Sequence, residues 1–152
     1  MSRFSAFVLP LALICGCGRS GEKPPEAWKV PTGYKGPPKV WVDRLDRPKL
    51  APREPYHLTG GFAAEDGRKP IWPPWITIRS FKGVMHGQFQ AVLGKPTADG
   101  SLTFDATRDC PAAPGRYTLT ASLDLPGPDL ANPLDRTSTI YSKPMALEVK
   151  RP

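Results

Sequence analysis

The sequence predicts an all-β domain, an antiparallel sandwich of about seven strands. Among 152 residues there are 20 prolines and 14 glycines. Because proline costs about 3 kcal/mol inside a helix, this density excludes a helical bundle. From Lys39 onward, apolar residues recur with a period of two, the pattern of half-buried strands. No helical segment separates these runs, and parallel strands need such crossovers, so the pairing is predicted to be antiparallel.

The first 16 residues form a candidate export signal. One cation, Arg3, precedes an apolar run from Phe4 to Ile14. A run of about 11 residues is too short for a membrane-spanning helix, which needs about 20 residues, but it is typical of a secretory signal. Residues 1–16 are therefore predicted to be a signal peptide, and a transmembrane anchor is the less favoured alternative.

The end of this signal suggests how the protein is attached. The stretch Ile14-Cys15-Gly16-Cys17 resembles the lipobox of bacterial lipoproteins, with Cys15 where that family has Ala or Ser. The resemblance implies that Cys17 becomes the acylated first residue of the mature protein. Two or three acyl chains hold a protein on a membrane essentially permanently. The alternative is an ordinary cleaved signal beside an incidental cysteine.

Cysteine usage follows from that resemblance. If Cys15 is removed and Cys17 is acylated, Cys110 is the one cysteine left and has no intramolecular partner for a disulfide. We interpret Cys110 as a small buried apolar side chain. A reactive thiol and an intermolecular link are the alternatives.

Residues 17–38 are predicted to be a tether between the acylated cysteine and the folded domain. The segment contains five prolines, several glycines and no alternating apolar pattern. Such a sequence favours an extended chain of about 3.1 Å per residue, which would reach up to about 60 Å from the membrane. The folded domain is then predicted to occupy residues 39–152.

Seven strands are predicted within that domain. The sixth is the clearest, because Tyr117, Leu119, Ala121, Leu123 and Leu125 alternate with polar residues and would face the core together. Turn signals such as Asp99-Gly100 and Pro114-Gly115 separate the runs. The predicted strands are Lys39–Leu45, Tyr56–Phe62, Trp75–Phe81, Gln88–Leu93, Ser101–Ala106, Gly115–Leu125 and Met145–Lys150.

The stretches Asp99–Phe104 and Pro114–Leu119 resemble the later strands of bacterial immunoglobulin-like domains, and of the related carboxypeptidase-regulatory sandwiches. The resemblance implies a tyrosine corner, in which the hydroxyl of Tyr117 bonds back to the preceding loop. It also implies a core tryptophan in the third strand. Trp75 is the candidate for that position, with Trp72 or Trp41 as alternatives.

No catalytic or cofactor motif emerges from the sequence. His57 alternates with apolar neighbours, which predicts that it faces solvent, and His86 lies in a glycine-flanked turn. A soft Cu(I) site built from His86, Met85 and Cys110 is a less favoured alternative, because the spacing is not that of a metal motif. We therefore expect a protein that is not an enzyme and carries no cofactor, with a small hydrolase or a metal or redox protein as a less favoured alternative.

Four residues are candidates for binding. Trp72 and Trp75 flank a rigid diproline and would form a platform for a sugar ring or a partner, unless both cap the core. Arg136 and Tyr141 lie in the long connection Pro126–Pro144, and connections of this length are often functional or disordered. A carbohydrate-binding module using Trp72 and Trp75 is accordingly one alternative function.

The formal net charge of +7 favours anionic partners. For an exported protein these are lipid head groups, acidic glycans or other envelope polymers, whereas an export signal and the lack of a clustered basic run argue against nucleic acid. The sequence as a whole predicts a lipid-anchored envelope protein on the periplasmic or cell-surface side of a bacterial membrane. Its sandwich would bind an envelope protein or an anionic glycan, or serve a structural role.

Overall fold

The computed structural model describes residues 33–127 and 137–151, and within them every regular element is a strand. Two sheets pack face to face, which confirms the predicted immunoglobulin-like β-sandwich. The signal peptide, Cys17 and most of the tether lie outside the described residues. The strands are β1 (Lys39–Leu45), β2 (Lys49–Leu50), β3 (Pro55–Ala63), β4 (Trp75–Ser80), β5 (Met85–Gln90), β6 (Val92–Pro96), β7 (Leu102–Asp109), β8 (Gly115–Leu125), β9 (Ser138–Tyr141) and β10 (Met145–Val149).

One sheet has four strands in the order β1-β3-β7-β6, and the other has six. In the six-stranded sheet the path is β2-β10-β8-β4-β5, and β9 also pairs with β8. All pairs are antiparallel except the short parallel pair of β10 with β2. The longest strand, β8, therefore lies at the centre of the larger sheet.

The core lies between the sheets and follows the period-two pattern. All five β8 side chains predicted to face inward are buried. From the four-stranded sheet, Leu58, Phe62 and Phe104 meet them. The predicted tyrosine corner is also present, because the hydroxyl of Tyr117 donates a hydrogen bond to the carbonyl oxygen of Ala113. Burial of these alternating side chains holds the two sheets together.

The predicted fourth strand, Gln88–Leu93, is wrong as a single element. The chain divides at Ala91, so that β5 belongs to the six-stranded sheet and β6 to the four-stranded sheet. Ala91 is buried, and its N–H donates to the carbonyl oxygen of Pro74 instead of to a ladder partner. The alternation of side chains continues through this crossing, so the sequence pattern carries no sign of it.

The connection Pro126–Pro144 is not a plain loop, because it contains β9. In this strand Ile140 faces the core and pairs with Leu123 of β8. Ser142 occupies the break between β9 and β10. Its N–H donates to the carbonyl oxygen of Ala121, and its hydroxyl accepts the Ala121 N–H. The strands β9 and β10 are thus two parts of one interrupted strand beside β8. The first part, β9, has only four residues in which an alternating pattern could be recognised.

The sandwich has two distinct ends. The entry end is the end at which Gly33 donates its N–H to the carbonyl oxygen of Asp99, and Gly36 donates to the carboxylate of Glu65. Residues 33–38, assigned from sequence to the tether, therefore contact the domain. Leu125 of β8 lies at the same end, since Arg68 bonds the carbonyl oxygen of Pro126 there. The far end carries the β4–β5 turn and the beginning of β8.

Among residues 33–127 and 137–151, no helix is long and apolar enough to span a bilayer.

Candidate ligand-binding face

The candidate site is the outer face of the six-stranded sheet, the side that points away from the core. Because side chains alternate along a strand, inward Ile76 and Ile78 leave Trp75 and Thr77 of β4 on this face. Likewise Ile140 faces inward, which leaves Tyr141 of β9 outward. The face is therefore built from the polar halves of the strands whose apolar halves make the core.

Strand register brings two of the predicted binding residues together on this face. Trp75 pairs directly with Ser122 of β8, and Ser122 pairs directly with Tyr141. We call these three residues the cross-strand row. Directly opposed residues have Cβ atoms about 5 Å apart, so Trp75 and Tyr141 stand about 10 Å apart on either side of a small serine. Trp75 is half-buried and Tyr141 is 69% exposed.

A line of small hydroxyl side chains continues from the row along β8. Thr118, Thr120 and Ser122 alternate with the core residues and are all half-buried. At the entry end this line finishes at Asp124, whose carboxylate accepts a hydrogen bond of 2.6 Å from the hydroxyl of Thr139. The result is a shallow polar floor along the central strand, bordered at one end by two aromatic side chains.

At the far end the same face carries a hollow of about 330 Å³. Phe81, which is 80% exposed, forms one wall, and its N–H donates to the carbonyl oxygen of Arg116. Lys49 and Glu148 form the opposite side and make an ion pair at 3.6 Å. Arg116 and Thr118 of β8 line the hollow between these walls, so it adjoins the hydroxyl floor directly.

The remaining predicted binding residues lie elsewhere or outside the described part. Trp72 is 56% exposed and belongs to the segment beside Asp124, where the N–H of Ile71 donates to the Asp124 carbonyl oxygen. Arg136, like Cys17, lies outside the described residues.

The prediction of a core tryptophan in the third strand is wrong. Trp75 alternates with buried Ile76 and so points outward, and Trp72 is exposed. The third candidate, Trp41, is half-buried and packs against the backbone at Gly61 rather than between the sheets. Aliphatic side chains fill the space that the resemblance assigned to an indole ring.

The structure places each of the residues considered for catalysis or metal binding in its own surroundings. The buried thiol of Cys110 donates to the carbonyl oxygen of Ala51 at 3.0 Å, which agrees with its interpretation as a buried side chain. The ring of His86 packs edge-on against Tyr117 at 5.0 Å. His57 faces outward as predicted and lies 3.8 Å from the carboxylate of Asp105. The described residues include no group of three or more His, Cys, Asp and Glu able to hold a metal ion.

A second hollow, of about 560 Å³, opens between β5 and the last residues of β7. Ile78 and Phe89 provide its apolar wall, and the guanidinium of Arg108 lies 5.6 Å from the Phe89 ring centroid. Apart from His86, it contains none of the residues that the sequence singled out.

Sequence reasoning missed Ser122, Arg116 and Phe81 as parts of a site. The signal for the first two was present, since the sixth predicted strand places Arg116, Thr118, Thr120, Ser122 and Asp124 on one outward face. Which residues of neighbouring strands stand beside them depends on register, and register is fixed by pairing in three dimensions.

No family model and no curated protein matches the sequence. Among solved structures, the crystal structure of the Lin-41 filamin domain is similar to this chain, and the alignment covers 76% of this chain and 93% of the filamin domain chain. The two share 13% sequence identity and align with a TM-score of 0.35.

Proposed function

We propose that this chain is an exported, lipid-anchored protein of the bacterial envelope whose β-sandwich is a non-enzymatic binding module. The predicted signal peptide over residues 1–16 and the resemblance of residues 14–17 to a lipobox ending at Cys17 support export and anchoring. The proline-rich residues 17–38 would separate the domain from the membrane. The domain is entered at the end where Gly33 bonds Asp99, so the tether would hold this end towards the bilayer.

The observation that carries the binding proposal is the cross-strand row. An exposed tyrosine and a half-exposed tryptophan about 10 Å apart, with a serine between them, leave room for a flat group between two aromatic side chains. Trp and Tyr provide large contact areas with a polar handle, which is why they are enriched at binding surfaces. Placement on a sheet rather than on loops keeps their spacing fixed.

A carbohydrate is the ligand class that this face favours. A sugar ring offers apolar C–H groups to aromatic side chains and hydroxyls to polar ones. The outer face supplies both, with Trp75 and Tyr141 beside the hydroxyls of Thr120 and Ser122 and the carboxylate of Asp124.

The anchor is tested by fractionating cells that express the full chain. Cys17→Ala is expected to move the protein out of the membrane fraction, while the matched variant Cys110→Ala stays with it. Membrane association that persists in Cys17→Ala contradicts lipid anchoring at this residue.

The binding module is tested by titrating the full-length protein with a panel of envelope glycans and following tryptophan fluorescence. Trp75→Ala and Tyr141→Ala are each expected to weaken binding at least tenfold. The matched control is Val92→Ala, which removes an exposed apolar side chain from the four-stranded sheet and should leave affinity unchanged. If no glycan binds, the carbohydrate proposal fails. Crosslinking in the native envelope then identifies the protein partner that the module would contact instead.

A further inference from the structure

We propose that the outer face binds an acidic polysaccharide, with a sugar ring at the cross-strand row and a uronate carboxylate at Arg116. This inference rests on the proposed carbohydrate-binding function and adds the chemical class of the ligand and the position of its carboxylate. Three features carry it: the charge gradient along β8, the length of the hydroxyl floor and the surroundings of Arg116.

The charge of the face changes sign from one end to the other. At the entry end the ionised side chain on β8 is Asp124, and at the far end it is Arg116. Arg79 adds to the positive end, because it pairs with Thr118, and the diagonal from Arg79 to Arg116 is about 7 to 8 Å. A carboxylate is therefore attracted to the far end and repelled from the entry end, which favours its placement at Arg116 rather than beside Asp124.

The two ends are separated by a length that a single small molecule does not span. From Ser122 to Arg116 there are six residues of extended strand, which is about 20 Å. Between them the floor consists of Thr118 and Thr120, small hydroxyl side chains that leave a chain of sugars room to lie flat. A ligand that contacts both the aromatic row and the cation must therefore be an oligomer.

Arg116 is placed to receive a carboxylate. Arg116 is exposed and lines the hollow of about 330 Å³, as does the exposed Phe81. Glu148 pairs with Arg116 in the β-ladder, but its carboxylate forms its ion pair with Lys49. In the part of the chain that the structure describes, no carboxylate forms an ion pair with Arg116 or Arg79, so the far end keeps an excess of positive charge. A planar guanidinium binds a carboxylate through two parallel hydrogen bonds.

The test compares oligogalacturonates with the same oligomers after full methyl esterification, which removes the charge and keeps the sugar rings. Affinity for the full-length protein is measured by calorimetry at constant ionic strength. The acidic oligomer is expected to bind at least tenfold more tightly. Arg116→Gln should reduce that preference, since Arg79 remains nearby, and leave the affinity for the ester unchanged. Arg44→Gln, which removes an exposed arginine from the four-stranded sheet, should preserve it.

Other outcomes overturn the inference in distinguishable ways. If both oligomers bind equally and Trp75→Ala weakens both, carbohydrate binding stands and the acidic class is wrong. If neither oligomer binds, and the neutral and acidic members of the envelope panel do not bind either, the carbohydrate proposal fails with it. Poly-glutamate carries carboxylates without sugar rings. If it binds as tightly as the acidic oligomer, the face binds polyanions in general and the inference of a polysaccharide ligand is wrong.

Discussion

The hydroxyl of Tyr117 donates a 2.7 Å hydrogen bond to the carbonyl oxygen of Ala113, four residues before it in the chain. The ring of Tyr117 is 4% exposed and closes the far end of the core. This bond ties the turn before β8 to the first core residue of that strand.

Tyr117→Phe is expected to destabilise the domain by about 1 kcal/mol, because it removes the bond and leaves the Ala113 carbonyl without this partner. The free energy of unfolding, measured by urea denaturation of the full-length protein, checks this. A variant as stable as the wild type would show that the corner contributes nothing to stability.

Tyr56→Phe is expected to behave in the opposite way. Tyr56 is 1% exposed, and its hydroxyl finds no hydrogen-bond partner within the described residues. A buried hydroxyl without a partner costs free energy relative to an apolar atom, so its removal should leave stability unchanged or higher. The same urea experiment applies, and a loss above about 1 kcal/mol would mean that the hydroxyl is bonded after all.

Because Tyr56 is buried, we also expect the stability of the domain to decrease at alkaline pH. Burial raises the pKa of Tyr56 above its ordinary value, and the charge of Arg108 opposes this rise only partly. Because the pKa of Tyr56 is higher in the folded than in the unfolded protein, its ionisation leaves the free energy of unfolding unchanged below the unfolded pKa of about 10. As pH rises beyond that value, the free energy of unfolding falls. The loss approaches about 1.4 kcal/mol per pH unit. Urea midpoints between pH 8 and 11 should fall less steeply for Tyr56→Phe than for the wild type.

Gly60 is predicted to be intolerant of even a methyl group. A Cβ atom there would overlap the ring of Phe104 and the carbonyl oxygen of Trp41, both part of the four-stranded sheet. Gly60→Ala should therefore cost about 1 to 3 kcal/mol through overpacking. Gly87→Ala is the control, because a Cβ atom at that position meets nothing within 4 Å. Equal thermal midpoints for the two variants would contradict the close packing at Gly60.

The thiol of Cys110 is expected to be unreactive in the folded protein. It is 4% exposed and bonded to the Ala51 carbonyl, so a thiol reagent reaches it only when the domain opens. Reaction with an aromatic disulfide reagent should be slow in buffer and complete in denaturant. The Cys110→Ala variant supplies the background from the other cysteines. Rapid labelling in buffer would restore the redox alternative.

The fold was largely predictable because it depends on local alternation. The inward side chains of β8 follow from a period of two, which is a property of neighbouring residues. The corner at Tyr117 was implied by the resemblance to immunoglobulin-like domains. The division at Ala91 was not predictable, since alternation continues while the chain passes from one sheet to the other. The strand at Ile140 was missed because four residues give too short a pattern.

The candidate site was likewise predictable only in part. The period of two is enough to predict that β8 presents polar residues outward, and local composition is enough to mark Trp75 and Tyr141 as candidates for binding. That Ser122 stands between them, and that Arg116 and Phe81 lie at the other end of the same face, emerges from the folded sheet alone. The reason is physical: a strand's own residues fix which side chains share a face, whereas the neighbours across the sheet are fixed by hydrogen-bond register between segments distant in sequence.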